Sequence, residues 1–200
     1  MRCILRLFTF MCLALVCAAP TYATQYLFET WTVSGGVPVA PGMDGPSEPT
    51  ASPGTGYGTA LYDDVTHLLA LDASFSGLLG TTTASHIHAP TASPFAGTIG
   101  VATQTPSFTG FPLGVTSGTY SHVFDLSLGS SFNPSYNGGV NQESAFVAAL
   151  FANKSYWNIH SSAFGGGEIR GFLRLVPEPA SGSLIALAIV GFAGVVRRRR

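Results

Sequence analysis

The chain has 200 residues, of which only 10% are charged, and a formal net charge of −1. This balance hides a segregation of charge. Residues 24–175 contain three basic and nine acidic side chains, a net charge of −6. An acidic segment of this kind excludes nucleic acid and other polyanions as partners, because their phosphates are bound by Lys and Arg.

The N-terminus has the layout of a secretory signal peptide. Arg2 and Arg6 form a positive n-region, residues 7–16 form an apolar h-region, and a small-residue site ends at Ala23. Cleavage there starts the mature chain at Thr24 and removes all three cysteines (Cys3, Cys12 and Cys17). A lipoprotein signal at Cys17 is the alternative. The exported domain then has no disulfide and relies on its core.

The residues after the signal peptide are predicted to form a series of short strands. Aromatic and β-branched residues alternate with polar ones, which favours an antiparallel sheet. A helix is predicted at 143–152, capped by Asn141. A long loop is predicted at 35–58, and Asp63-Asp64 as a turn. The predicted strands are residues 26–33, 59–62, 67–75, 81–88, 97–103, 120–126, 156–160 and 168–175. This pattern predicts an all-β antiparallel β-sandwich with one short helix.

Three histidines are the candidate metal ligands. In a strand, His86 and His88 project from one face, and His160 shares a face with Tyr156 and Asn158. A His-x-His pair with a third imidazole nearby suits Zn or Cu. The alternative is that these histidines hydrogen-bond backbone groups at loop bases or pair with Glu168. No other cofactor is expected.

Glu168 and Arg170 are two residues apart and share one face of a strand. Either they form a salt bridge on the sheet surface, worth under about 1 kcal/mol if exposed, or they are a buried brace that orients His160. Gly171 indicates a close backbone approach or an aromatic neighbour that needs room, Tyr156 or Trp157.

Motifs for catalysis are missing from the sequence. It has no Gly-x-Ser-x-Gly elbow, no His-Glu-x-x-His and no phosphate-binding Gly loop. A non-enzymatic protein is therefore expected. An enzyme that acts on matrix polysaccharide through two carboxylates remains an alternative, because their separation depends on the fold.

Two histidine segments carry a family resemblance. His-Ile-His at 86–88, Tyr-x-Asn-Ile-His at 156–160 and Gly-Glu-Ile-Arg-Gly at 167–171 resemble the CHRD domain, a module of secreted proteins. Glu48-Pro49 and Gly58-Thr59-Ala60 add a weaker match, and the resemblance covers residues 25–175. Ser161 and Gly165-Gly166 depart from the family pattern. The histidine spacing is also similar to superoxide dismutase, so an immunoglobulin-like or superoxide-dismutase-like sandwich is expected.

The C-terminal tail has the features of a sorting signal. An uncharged apolar run at 180–196 would span about 25 Å as a helix, and the basic end stays cytoplasmic. The tail resembles the PEP-CTERM sorting signal, which implies processing by an exosortase in an exopolysaccharide and biofilm setting. A plain membrane anchor is the alternative. The motif residues are Val176, Pro177, Glu178 and Pro179, and the basic end is Arg197, Arg198, Arg199 and Arg200.

The predicted organisation has three parts: a signal peptide at 1–23, a CHRD domain at 24–175, and a sorting signal with a transmembrane helix at 176–200. The expected protein is exported to the cell surface or matrix and is transiently anchored in the inner membrane. Exosortase is the expected processing partner, and matrix polysaccharide is a second one.

Overall fold

The computed structural model describes residues 24–177. The predicted signal helix and transmembrane helix lie outside this range. Within it, no helix is both long and apolar enough to cross a membrane. The strands are β1 (Gln25–Ser34), β2 (Val37–Pro41), β3 (Met43–Asp44), β4 (Thr55–Asp63), β5 (Leu68–Ser76), β6 (Thr82–His88), β7 (Gly118–Asp125), β8 (Tyr156–Ser161) and β9 (Ile169–Leu175). One α-helix, α1 (Gln142–Phe151), follows two 3₁₀ turns, Gly129–Ser131 and Tyr136–Gly139.

The nine strands form one antiparallel sheet that is organised around β1. One edge of β1 pairs with β4, which continues through β5 to β7. The other edge pairs with β9, which continues through β8 to β6. The last residues of β1 pair with β2, and β3 bridges β4 and β9. The predicted all-β, antiparallel, sandwich-like architecture with one helix is therefore confirmed.

The two arms of the sheet face each other across the core. Trp157 of β8 is fully buried, and its ring centroid lies 6.4 Å from that of Tyr120 in β7. At Gly58 in β4, an added Cβ would lie 2.9 Å from Trp157 Cε3, so the glycine makes room for the indole. Residues 24–177 contain no cysteine, so burial of apolar and aromatic surface is the main source of stability in this part of the chain.

Most predicted elements are confirmed, with end points shifted by a few residues. The strand predicted at 97–103 is wrong: this stretch makes only isolated bridges, Val101 with His88 and Thr103 with Phe132. Gly97 has a φ of +84°, outside the strand region. The amides of residues 102 and 103 both donate to the Ile87 carbonyl, which is incompatible with a regular ladder.

The loop predicted at 35–58 is partly wrong as well, because it contains β2, β3 and the start of β4. Gly35 and Gly36 have positive φ values and turn the chain back onto β1. Pro38 and Pro41 are tolerated because β2 pairs on one side only.

Two local expectations also need correction. Asn141 precedes α1 as predicted, but it is left-handed (φ 48°) and its side chain makes no capping hydrogen bond. Gly171 makes room for backbone rather than for an aromatic ring. A Cβ there would collide with the carbonyl of Gly42 and with the side chains of Thr30 and Met43.

Candidate functional site

A layer of polar side chains covers the outer face of β6, β8 and β9. Strand alternation sends Ile87, Trp157 and Ile159 into the core, so their neighbours point the other way. The register sets His86 opposite Asn158, and Asn158 opposite Arg170. The outer face is nevertheless mostly buried, because loops cross it. Its polar members are His86, His88, Asn158, His160 and Arg170.

The structure brings the three predicted histidines together. One nitrogen from each of His86, His88 and His160 lies within 4.8 Å of the other two. Nδ1 of His86 and Nε2 of His160 are 3.3 Å apart. The ring centroids are separated by 5.1 to 6.1 Å. The sequence placed His86 and His88 on one face, and the pairing of β6 with β8 adds His160 to it.

A backbone carbonyl orients each ring. His86 Nε2 lies 2.6 Å from the carbonyl oxygen of Pro106, and His88 Nδ1 lies 2.7 Å from that of Ile99. His160 Nδ1 lies 3.0 Å from the Gly165 carbonyl. A carbonyl only accepts, so these three nitrogens carry the protons and donate. The nitrogens that face one another are then the unprotonated ones.

The cluster leaves one nitrogen without a hydrogen-bond partner. Nε2 of His88 is buried and is not hydrogen-bonded to any described residue. Burial lowers the pKa of His88 to about 4. Burial also lowers the pKa of His86 and of His160, against the carbonyl contacts of Pro106 and Gly165, which raise it. All three rings are therefore neutral at pH 7, the form that binds metals.

An aromatic and cationic stack supports the cluster from one side. The Tyr156 ring lies parallel to His88, with centroids 4.7 Å apart and an interplanar angle of 5°. The Arg170 guanidinium also lies over the Tyr156 ring, 4.7 Å from its centroid. Tyr156 thus contacts both His88 and Arg170, and the charge of Arg170 adds to the lowering of the His88 pKa.

The predicted pairing of Glu168 with Arg170 is not observed. Arg170 Nε lies 3.3 Å from Glu48 Oε2 and donates its hydrogen to the Ser47 carbonyl. Burial raises the pKa of Glu48 to about 7, although the charge of Arg170 opposes this. Glu48 belongs to a loop in which the sequence offered only the weaker family match, so its role at this face was missed.

Glu168 is a brace, but it does not orient His160. Its fully buried carboxylate accepts hydrogen bonds from Ser52 Oγ (2.6 Å), the Leu79 amide (2.5 Å) and the Gly80 amide (3.2 Å). Burial raises the pKa of Glu168, but these bonds and one from Ser161 outweigh it, so the net pKa is lowered. Glu168 therefore ties together the loops before β4 and β6.

The other two histidines lie apart from the cluster. His67 is exposed and contacts Glu143 at 2.7 Å, and His122 in β7 packs against Phe124, with ring centroids 4.5 Å apart. Of the residues predicted to form the sorting motif, Val176 donates its amide to the Leu27 carbonyl, and Pro177 is the last described residue. Glu178, Pro179 and Arg197 to Arg200 lie outside the described residues.

The fold and site together define an antiparallel β-domain with a buried three-histidine cluster on its outer face. The model of the CHRD domain family matches residues 38–173, more than half of the chain. The chain therefore belongs to the CHRD family. Comparison with curated proteins and with solved structures found no significant match.

Proposed function

We propose that this chain is an exported, non-enzymatic CHRD-domain protein that binds one Zn or Cu ion through His86, His88 and His160. The observation that carries the proposal is the orientation of the three rings. Each donates one N–H to a backbone carbonyl and turns its other nitrogen toward the remaining two. Metal-binding histidines are typically oriented by such an outer hydrogen bond.

The facing nitrogens of His86 and His160 argue for a cation between the rings. At 3.3 Å they are at hydrogen-bonding distance, yet both are acceptors if their partner nitrogens donate to Pro106 and Gly165. A proton added to either ring would convert it to a charged imidazolium, which burial disfavours. A bound metal ion removes this conflict because it accepts all the lone pairs.

The spacing agrees with the size of a tetrahedral site. Zn–N bonds of about 2.0–2.1 Å separate two ligand nitrogens by about 3.3–3.4 Å in a tetrahedron. The His86–His160 separation of 3.3 Å equals this distance. The third nitrogen, from His88, lies within 4.8 Å of the other two, so His88 completes the set by moving toward them. Three imidazoles suit Zn and Cu better than Mg or Ca, which prefer oxygen ligands.

Metal titration of the purified full chain tests the proposal. Calorimetry and metal analysis should show one Zn or Cu per chain, and His88→Ala should weaken binding by at least about 100-fold. His122→Ala is the matched control, because it removes an imidazole away from the cluster. Absence of bound metal, or an equal loss in both variants, would contradict metal binding at this site.

Thermal unfolding keeps the test valid if His88→Ala is itself destabilised. Metal at 100 times its Kd stabilises a folded protein by about 2.7 kcal/mol. The wild type and His122→Ala should gain this stability on addition of metal. His88→Ala should show no gain, whatever its Tm without metal.

The setting of the protein forms the second part of the proposal. Signal peptidase would release the chain at Thr24, and an exosortase would process the PEP-CTERM tail, which delivers the domain to the cell surface or matrix. There it would contact exopolysaccharide in a biofilm. Support comes from the sequence of the two ends, and from the fact that Thr24 and Pro177 line the same groove at one end of the sheet.

Intact-mass analysis in an exosortase-bearing host tests this setting. The mature chain should begin at Thr24 and lack the segment after about Pro179. Glu178→Gln should block processing at the tail, and Asp72→Asn, an exposed acid-to-amide change in β5, should not. A mature protein that retains Arg197 to Arg200 would make the tail a simple anchor.

A further inference from the structure

We infer that the metal held by the three histidines keeps one coordination position open to a compact monoanion. This inference rests on the proposed metal binding. Within residues 24–177, no fourth His, Cys, Asp or Glu joins His86, His88 and His160. The carbonyls of Pro106, Ile99 and Gly165 are already bonded to the outer nitrogens of the rings. A tetrahedral ion therefore has three protein donors and one position left for an outside ligand.

The charge of the site selects an anion. Three neutral imidazoles leave the full +2 charge of a divalent ion uncompensated. On this face, the Arg170 guanidinium lies over the Tyr156 ring, and Glu48 pairs with Arg170. Because residues 24–177 provide no carboxylate to the metal, a negatively charged outside ligand gains both the metal bond and the charge compensation.

The burial pattern determines where this ligand enters and how large it is. His86 and His88 are 6% and 7% exposed, whereas His160 is only partly buried. Beside His160, a Cβ added at Gly165 or Gly166 would meet nothing within 4 Å. Solvent therefore reaches the cluster past the Gly165-Gly166 turn. The buried rings on the other side restrict the ligand to a small monoanion such as hydroxide, azide or acetate.

Azide titration of the Cu(II)-loaded full chain tests the inference. The metal content is measured first, and azide is then added while the visible spectrum is recorded. We expect a charge-transfer band that saturates at one azide per metal and that acetate displaces, whereas the bulkier diphenylacetate does not. Gly166→Phe places a ring at the entrance and should slow azide binding at least about tenfold while one metal per chain is retained.

The possible failures are distinguishable. A chain that binds one Cu but shows no azide band has a closed coordination sphere; this overturns the inference and leaves metal binding intact. If diphenylacetate displaced azide as effectively as acetate does, the inference that the site admits only a compact ligand would be overturned. A chain that binds no metal would overturn the proposed function itself.

Discussion

Replacing the buried carboxylate of Glu168 should be among the most damaging single changes in the domain. Glu168 is fully buried and accepts hydrogen bonds from the Ser52 hydroxyl, from the amides of Leu79 and Gly80, and from the Ser161 side chain. In Glu168→Ala these donors lose their acceptor. The variant also releases the loops before β4 and β6 from β9, so the loss acts on several segments at once.

The expected magnitude follows from which donors remain buried. Leu79 is 60% exposed, so water can replace the carboxylate at its amide. The Ser52 hydroxyl and the Gly80 amide are buried, and each buried unsatisfied group costs about 1–3 kcal/mol. We therefore expect Glu168→Ala to lower the free energy of unfolding by about 2–6 kcal/mol. Glu168→Gln keeps one acceptor oxygen, so it should lose about half as much.

Urea unfolding followed by tryptophan fluorescence measures these values. Asp72→Asn is the control for Glu168→Gln, because its exposed carboxylate lies in the middle of β5; surface changes of this kind stay within about 0.5 kcal/mol. If Glu168→Ala were no more destabilising than this control, the brace would be refuted. Zn affinity should change little in the folded variant, since no hydrogen bond joins Glu168 to His160.

The same residue predicts acid sensitivity. The pKa of Glu168 is lowered in the fold, because its hydrogen bonds outweigh the opposing effect of burial. Its contribution is therefore fully present above the unfolded value of about 4.3 and is lost as the pH falls through the folded pKa. Glu168→Gln should have a weaker dependence of stability on pH in this acid range than the wild type.

Three further predictions concern packing, pH and the turn beside the cluster. Gly58→Ala should cost about 1–3 kcal/mol by overpacking, because the new Cβ would press on Trp157, and urea unfolding measures the loss. Burial raises the pKa of Glu48 to about 7, so the stability that the protonated carboxyl contributes is lost as the pH rises from about 4.5 through 7. Over this range the Tm of Glu48→Gln should fall less than that of the wild type. An equal fall in both proteins would contradict the raised pKa. Gly167→Ala should be destabilised and bind Zn more weakly, because φ is +131° and a Cβ would overlap Asn158; unchanged Zn calorimetry would contradict this.

Strand alternation made much of the site predictable. The faces of β6 and β8 follow from residue spacing alone, so His86 and His88 were placed together and Trp157 was separated from Asn158 correctly. The position of His160 beside them needed the register between two strands that are about 70 residues apart. Periodicity within one strand does not contain that information.

The sequence was least informative where backbone atoms act. The Pro106, Ile99 and Gly165 carbonyls set the tautomers of the histidines, yet a carbonyl is present at every residue and leaves no compositional signal. The failed strand at 97–103 has the same origin, because this stretch uses its backbone to bridge neighbouring segments instead of a ladder.

By itself, the sequence determined most of the strand pattern, the CHRD resemblance and the three candidate histidines, because these depend on residue type and on spacing along the chain. Only the tertiary structure decided that the histidines converge, that Arg170 pairs with Glu48, and that Glu168 ties loops together instead of orienting His160. The physical reason is that buried polar groups find their partners across the sheet, where strand register and loop paths determine which atoms meet.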